Sequence, residues 1–166
     1  MIKAVNGVGN NINRGDYPYL NMHAWTNSGQ TVYHRSLIDF DLNSIPQESY
    51  IKEAKLYLYT SSGIFANSIY DGHDPLSESN KCYIQRITSN WGEYTVTWNN
   101  QPSVTEINKD SLAESTSSYQ NYVVDVTNLV QDMVDEPQNS HGFRLKIAKE
   151  KMVHFWRLIL VLCQIN

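Results

Sequence analysis

The sequence predicts an all-β fold, a jelly-roll β-sandwich of two antiparallel sheets with one short helix, and three observations carry that expectation. Aromatic residues make up 11% of the chain, with 11 Tyr and 4 Trp, charged residues only 18%, and Asn, Ser and Thr are abundant, the composition of a pleated, half-buried surface. Period-two alternation of apolar and polar residues recurs along most of the chain with turn residues between the runs. Helical spacing occurs once. With 166 residues the chain has material for one core, so a single domain over 1–166 is expected.

The elements follow in order. Leu20, Met22 and Ala24 alternate with Asn21, His23 and Trp25, and Asn27-Ser28-Gly29 follows as a turn. Ile38, Phe40 and Leu42 alternate with Leu37, Asp39 and Asp41 before the break at Ile45-Pro46. Ala54, Leu56 and Leu58 do the same against Lys55, Tyr57 and Tyr59, and 61–79 reads as a long loop. Further strands are expected at 82–88, 94–98, 122–126 and 143–147. Val126, Leu129, Val130, Met133 and Val134 fall at i, i+3, i+4, i+7 and i+8, a helical stripe with Thr127 as its expected cap and Pro137 beyond its end.

A formal net charge of −4 gives no overall field for nucleic acid or an anionic membrane. The apolar stretch 155–163 is far shorter than the ~20 residues of a spanning helix, so no membrane insertion is expected. The first seven residues lack the charged and then apolar run of a signal peptide. Cys82 and Cys163 are too few for a disulfide framework or a zinc site; a bridge between them and two buried thiols both remain open.

Several stretches taken in order resemble a known family. They are Arg35 to Pro46 (RSLIDFDLNSIP), Ala54 to Tyr59 (AKLYLY), Ile84 to Thr88 with Trp91, Thr95 to Pro102 (TVTWNNQP), and Asp125 to Val130 before Gly142-Phe143. Over roughly residues 10 to 148 this set is similar to the disaggregatase-related or DNRLRE domain, also classed as carbohydrate-binding module family 96, and in particular to versions from cell-surface proteins of Bacteroidetes-type bacteria. The resemblance implies a jelly-roll sandwich attached to extracellular or cell-surface proteins that handle polysaccharides, some members binding alginate, with the module generally not the catalyst. The chain departs from the family at its end. Residues 152–163 run without alternation, which fits a strand buried on both faces, a different ending, or a shifted frame.

Alternation also nominates a binding face. If Met22, Ile38, Phe40, Leu56 and Leu58 point inward, then His23, Trp25, Tyr33, Arg35, Tyr57 and Tyr59 point outward together with Asn21, Asp39 and Lys55, as do Arg144 and Lys146 on the 143–147 strand. Sharing one sheet, these side chains would offer aromatic plates for pyranose C–H faces and cationic forks for uronate carboxylates. The expected partner is an acidic polysaccharide, and the chain is expected to be part of a larger surface protein. The competing arrangement has Tyr57 and Tyr59 as cross-strand pairs on a solvated sheet, Arg35 paired with Asp39, and Trp25 under a loop. Trp91 and Trp98 read as core or turn residues.

No cofactor is expected. Asp39, Asp41 and Asp125 are the residues that would hold a structural calcium, although no closely spaced calcium loop occurs. His23, His34, His73, His141 and His154 show no metal spacing, and no phosphate loop or nucleophile elbow is present. Two further functions compete with a sugar-binding module: an interaction or stalk module of a surface protein without a sugar site, and a polysaccharide lyase using His23, Tyr57 and Arg35 as base and carboxylate neutraliser.

Overall fold

The structure, a computed structural model, describes residues 2–5, 10–17, 19–60, 73, 79–150 and 156–165. Its strands are β1 (Ile2–Val5), β2 (Leu20–Asn27), β3 (Gln30–Ile38), β4 (Lys55–Thr60), β5 (Cys82–Arg86), β6 (Asp110–Leu112), β7 (Tyr122–Asp125), β8 (Phe143–Ile147) and β9 (Trp156–Ile165). One helix, α1 (Thr127–Asp135), precedes a 3₁₀ turn at Pro137–Asn139. All pairings among the described residues are antiparallel. The first sheet runs β1–β3–β2–β9–β4–β7, and the second runs from the end of β3 through β8 and β5 to β6. The chain is therefore an all-β sandwich of two antiparallel sheets with one short helix.

Strand β3 is shared, and its burial pattern records the exchange. Val32, His34 and Ser36 alternate as buried positions, but Ser36 and Leu37 are buried consecutively. There the partner changes from β2, last paired at His34, to β8, first paired at Ser36. A strand that turns a corner between sheets shifts the phase of its inward residues. The β2–β3 hairpin closes at Asn27↔Gln30 through Ser28 (φ 51°) and Gly29 (φ 77°), the two left-handed residues of a type I′ turn.

The core lies between the sheets. Met22, Ala24, Leu56, Leu58 and Tyr122 meet Ile84, Leu112, Phe143, Leu145 and Ile147, and Leu129, Val130, Met133 and Val134 of α1 close one end. Removing water from these side chains is the main stabilising term. A second apolar cluster joins Ile2 and Leu37 to Ile87 and Val96, with Trp91, Trp98 and Val104 packed against it. It seats the 87–104 segment on β1 and β3.

Several expectations are corrected. The strand through Leu42 ends at Ile38, because the Asp39 and Asp41 carboxylates accept the backbone N–H groups of Phe40 and Asn43 and stabilise turns instead. Residues 94–98 form turns, with the N–H groups of Thr95 and Val96 on the Gly92 carbonyl. Thr127 is the first residue of α1 and does not cap it. Its N–H donates to Asp125 Oδ1 at 2.9 Å, and its Oγ1 accepts from the Ala54 N–H at 2.9 Å. Strands β1 and β6 had no sequence signal. The 152–163 run is strand from Trp156 onward, and most of the 61–79 loop lies outside the described residues.

Candidate functional site

Strand pairing decides which nominated residues share a surface, since directly opposed residues project to the same side. Trp25 is opposite Val32, Ala24 opposite Tyr33, and His23 opposite His34. Tyr33 and Arg35 therefore lie on the opposite side of the first sheet from His23 and Trp25, and the single outward face is corrected. His23 is only 3% exposed, its ring stacked on His34 at 4.9 Å and 5.0 Å from the half-buried Trp25. Asn21 is buried as well, its N–H donating to Ser36 Oγ and its carbonyl accepting from the same hydroxyl.

Tyr57 and Tyr59 form a separate strip. They lie on β4 beyond β9, with the exposed Val123 opposite Tyr57 and Tyr59 itself 40% exposed. Their neighbour Lys55 pairs with Glu53 at 2.6 Å. The same layout separates the base and the carboxylate neutraliser that a lyase needs: His23 and Tyr57 share the outer face of the first sheet but sit opposite Arg157 and Gln164, far apart along β9, and Arg35 lies on the other side of that sheet.

The second sheet does gather three of the nominated cations. Cys82, Ile84, Phe143, Leu145 and Ile147 point into the core, so Tyr83, Gln85, Arg144 and Lys146 project outward. Tyr83 is opposite Lys146 and Gln85 opposite Arg144, while Leu37, next to Arg35, is opposite Arg144 from the β3 side. Arg144 donates through Nε and Nη2 to Gln85 Oε1 at 3.2 and 2.8 Å. Its Nη1 has no acceptor among the described residues. Burial first, and then the nearby Arg35 charge, lower the Arg144 pKa to about 10, so this guanidinium gains from any added carboxylate.

Arg35 is held in a different way. Its Nε and Nη2 grip Glu150 as a fork at 2.8 and 2.6 Å, and Nη1 donates to Gln101 Oε1 at 2.6 Å. The guanidinium carbon sits 4.3 Å above the Trp98 ring, which also stacks with Tyr33 at 6.3 Å. The Arg35 and Glu150 side chains are 15% and 12% exposed. The partner proposed from sequence, Asp39, instead bonds the neighbouring backbone. Lys146 reaches the same Glu150 at 3.5 Å.

Tyr83 supplies an aromatic plate at the centre of this face, a residue that the alternation argument passed over. Lys109 Nζ lies 4.5 Å and Lys81 Nζ 5.9 Å from its ring centroid, and its hydroxyl has no partner among the described residues. Glu106 pairs with Lys109 at 2.6 Å and bonds Gln85. The Lys109 hydrogen bond holds the Glu106 carboxyl below the usual carboxylate range. Five cations (Arg35, Lys81, Lys109, Arg144 and Lys146) thus stand against two carboxylates, on a chain whose net charge is −4. Cross-strand signals that could have revealed this face were the Tyr83 and Lys146 positions within their own alternating strands.

The residues considered for calcium are not assembled. Asp39 and Asp41 bond loop N–H groups, Asp125 bonds Thr127, and among the described residues no group of three or more His, Cys, Asp or Glu is placed to hold a metal ion. Among them, too, no helix is long and apolar enough to cross a membrane.

An outward sheet face with an aromatic ring and several cationic donors can stack a sugar ring and bond its hydroxyls or carboxylate. No curated protein matches the sequence. The profile of carbohydrate-binding module family 96 matches residues 6–155, most of the chain, and the chain belongs to that family.

Proposed function

We propose that the chain is a non-catalytic module of a secreted or cell-surface protein that binds an acidic, uronate-containing polysaccharide along the outer face of the second sheet. The observation that carries this reading is the Arg144–Lys146–Tyr83 group, in which two cations and an aromatic ring project from paired strands with open donors. A pyranose ring stacks its C–H face on Tyr83, while its carboxylate takes Arg144 Nη1 and the Lys146 ammonium as charge-assisted donors. Lys109 and Lys81 extend the field along the chain direction. Arg35 contributes charge, but its Nε, Nη1 and Nη2 already donate to Glu150 and Gln101 and its face covers the Trp98 ring, so it orders the site's edge.

Only a shallow face is desolvated, so affinities between micromolar and millimolar are expected. Titration calorimetry with an oligo-uronate and with a neutral oligosaccharide of the same length tests the proposal. Binding of the acidic chain alone, weakening from ~50 to ~500 mM salt as screening shortens the range of the field, supports it. Equal binding of both chains, or a salt-independent constant, overturns the role given to the cations.

A further inference from the structure

A second surface, at the helix end of the sandwich, has a different chemistry. A cavity of about 380 Å³ lies between the 39–47 loop and the last turns of α1, a volume within the roughly 300–1,000 Å³ of small-molecule sites. Its floor is apolar, built from Phe40, Ile45 and Met133, all packed into the main core. Its rim carries Asp39, Asp41 and Asn43. Each aspartate uses Oδ1 for a loop N–H, at 2.9 Å for Phe40 and 3.0 Å for Asn43. The Oδ2 atoms and the Asn43 amide have no partner among the described residues.

The loop is built to stay in place. Gln47 Nε2 donates to the Asp135 carbonyl at 3.3 Å and ties the loop to α1. Gly142 adopts φ 84°, and a Cβ there would fall on the Ile38 carbonyl and against Asp39, so the backbone at the strand end presses on the Asp39 segment. The lining therefore offers a fixed apolar patch, two open carboxylate oxygens and one open amide, with two negative charges and no cation.

We propose that this cavity is a second saccharide site, selective for a non-acidic hexose unit and favouring one that bears an amine. The ring's C–H face lies on Phe40, vicinal hydroxyls or an ammonium donate to the Asp39 and Asp41 carboxylates, and the Asn43 amide donates to a ring or hydroxyl oxygen. A uronate is repelled by the same carboxylates. The module would then read two kinds of residue in one glycan, acidic units along the sheet and a non-acidic unit at the end.

Amide-resolved NMR of the full chain with three monosaccharides tests this. Glucosamine and glucose should shift the Asp41, Asn43 and Ser140 amides saturably, glucosamine at lower concentration, and glucuronate should not. Asp41→Ala should weaken glucosamine binding about tenfold, the size of a lost charge-assisted bond. Asn43→Ala, which breaks no loop bond in the structure, should weaken glucose and glucosamine alike. Absence of saturable shifts with both sugars, glucuronate matching glucosamine, or a response to calcium ion without any response to sugar would each overturn the proposal. Tyr83 and Lys146 amides, titrated with an oligo-uronate in the same sample, report the sheet face separately, so failure of one site is distinguishable from failure of the other.

Discussion

Replacing Arg35 by alanine is the most informative perturbation of the frame, because the same residue looks like a ligand contact in the sequence. The substitution removes the two-pronged bond to Glu150 and the bond to Gln101, and it strips the cation from the Trp98 ring. It leaves a carboxylate 12% exposed with Lys146 as its remaining cation at 3.5 Å. Breaking a buried ion pair on one side costs 3–5 kcal/mol as a rule. The surviving Lys146 contact and the residual solvent put Arg35→Ala at the low end, about 3 kcal/mol. With a urea dependence of ~2 kcal/mol per molar, the unfolding midpoint should fall by about 1.5 M. Arg35→Lys keeps the charge but loses the fork, and about half of that loss is expected. The double variant with Glu150→Ala should show a coupling above ~1 kcal/mol. A midpoint shift under ~0.3 M for Arg35→Ala would refute the structural role.

The pH dependence follows from the same pair. Burial pushes the Glu150 carboxyl up, but the Arg35 hydrogen bonds and charge, with Lys146, more than offset this and leave it below the ordinary glutamate value. A depressed folded-state pKa means that the unfolded chain takes up the proton first as pH falls. The contribution is complete above the unfolded glutamate pKa near ~4.3 and is lost as pH drops through the folded value. Stability measured below about pH 5 should therefore decline less steeply in Glu150→Gln than in the parent chain.

Three further outcomes are expected. Arg86→Ala should cost about 2–3 kcal/mol in urea unfolding, because its Nη1 holds Glu136, the Asn139 carbonyl and Ser140 Oγ together at the end of α1; a loss within ~0.5 kcal/mol would contradict that. Gly142→Ala should destabilise by about 2 kcal/mol or more, since a positive φ and contact with the Ile38 carbonyl act together; a neutral result in thermal unfolding would show that the corner relaxes freely. Cys82 should resist alkylation by iodoacetamide at pH 8 in the native chain, as burial pushes its thiol far up. Peptide mass spectrometry should find it modified only after unfolding, and modification under native conditions would contradict its burial.

Much of the sandwich was legible because a strand with one buried face must alternate. Leu56 and Leu58 against Tyr57 and Tyr59, Phe143 to Ile147, and the α1 stripe all follow from local period and local turn chemistry. The binding surface was less legible because period fixes which residues share a face within one strand and says nothing about phase between strands. Tyr33 and Arg35 show the difficulty: the hairpin register sets Ala24 opposite Tyr33, which puts both residues on the other side of the sheet from His23 and Trp25. Glu150 and Gln101, which hold Arg35, lie 115 and 66 positions away in sequence, a pairing that only tertiary structure defines. The turn at Asp39–Asn43 overrode an apparent alternation through side-chain bonds to the backbone, and that at Gly92–Val96 through backbone bonds to the Gly92 carbonyl, neither of which a hydropathy pattern weighs.

The central claim is that a cationic, aromatic sheet face engages an acidic glycan. Its most direct test is calorimetric titration of an oligo-uronate into the parent chain, Tyr83→Ala and the Arg144→Ala/Lys146→Ala double variant, each first shown to be folded. Loss of binding by tenfold or more in both variants, one deleting the stacking ring and the other two charge-assisted contacts, is the predicted result. Unchanged affinity in the double variant would contradict the account.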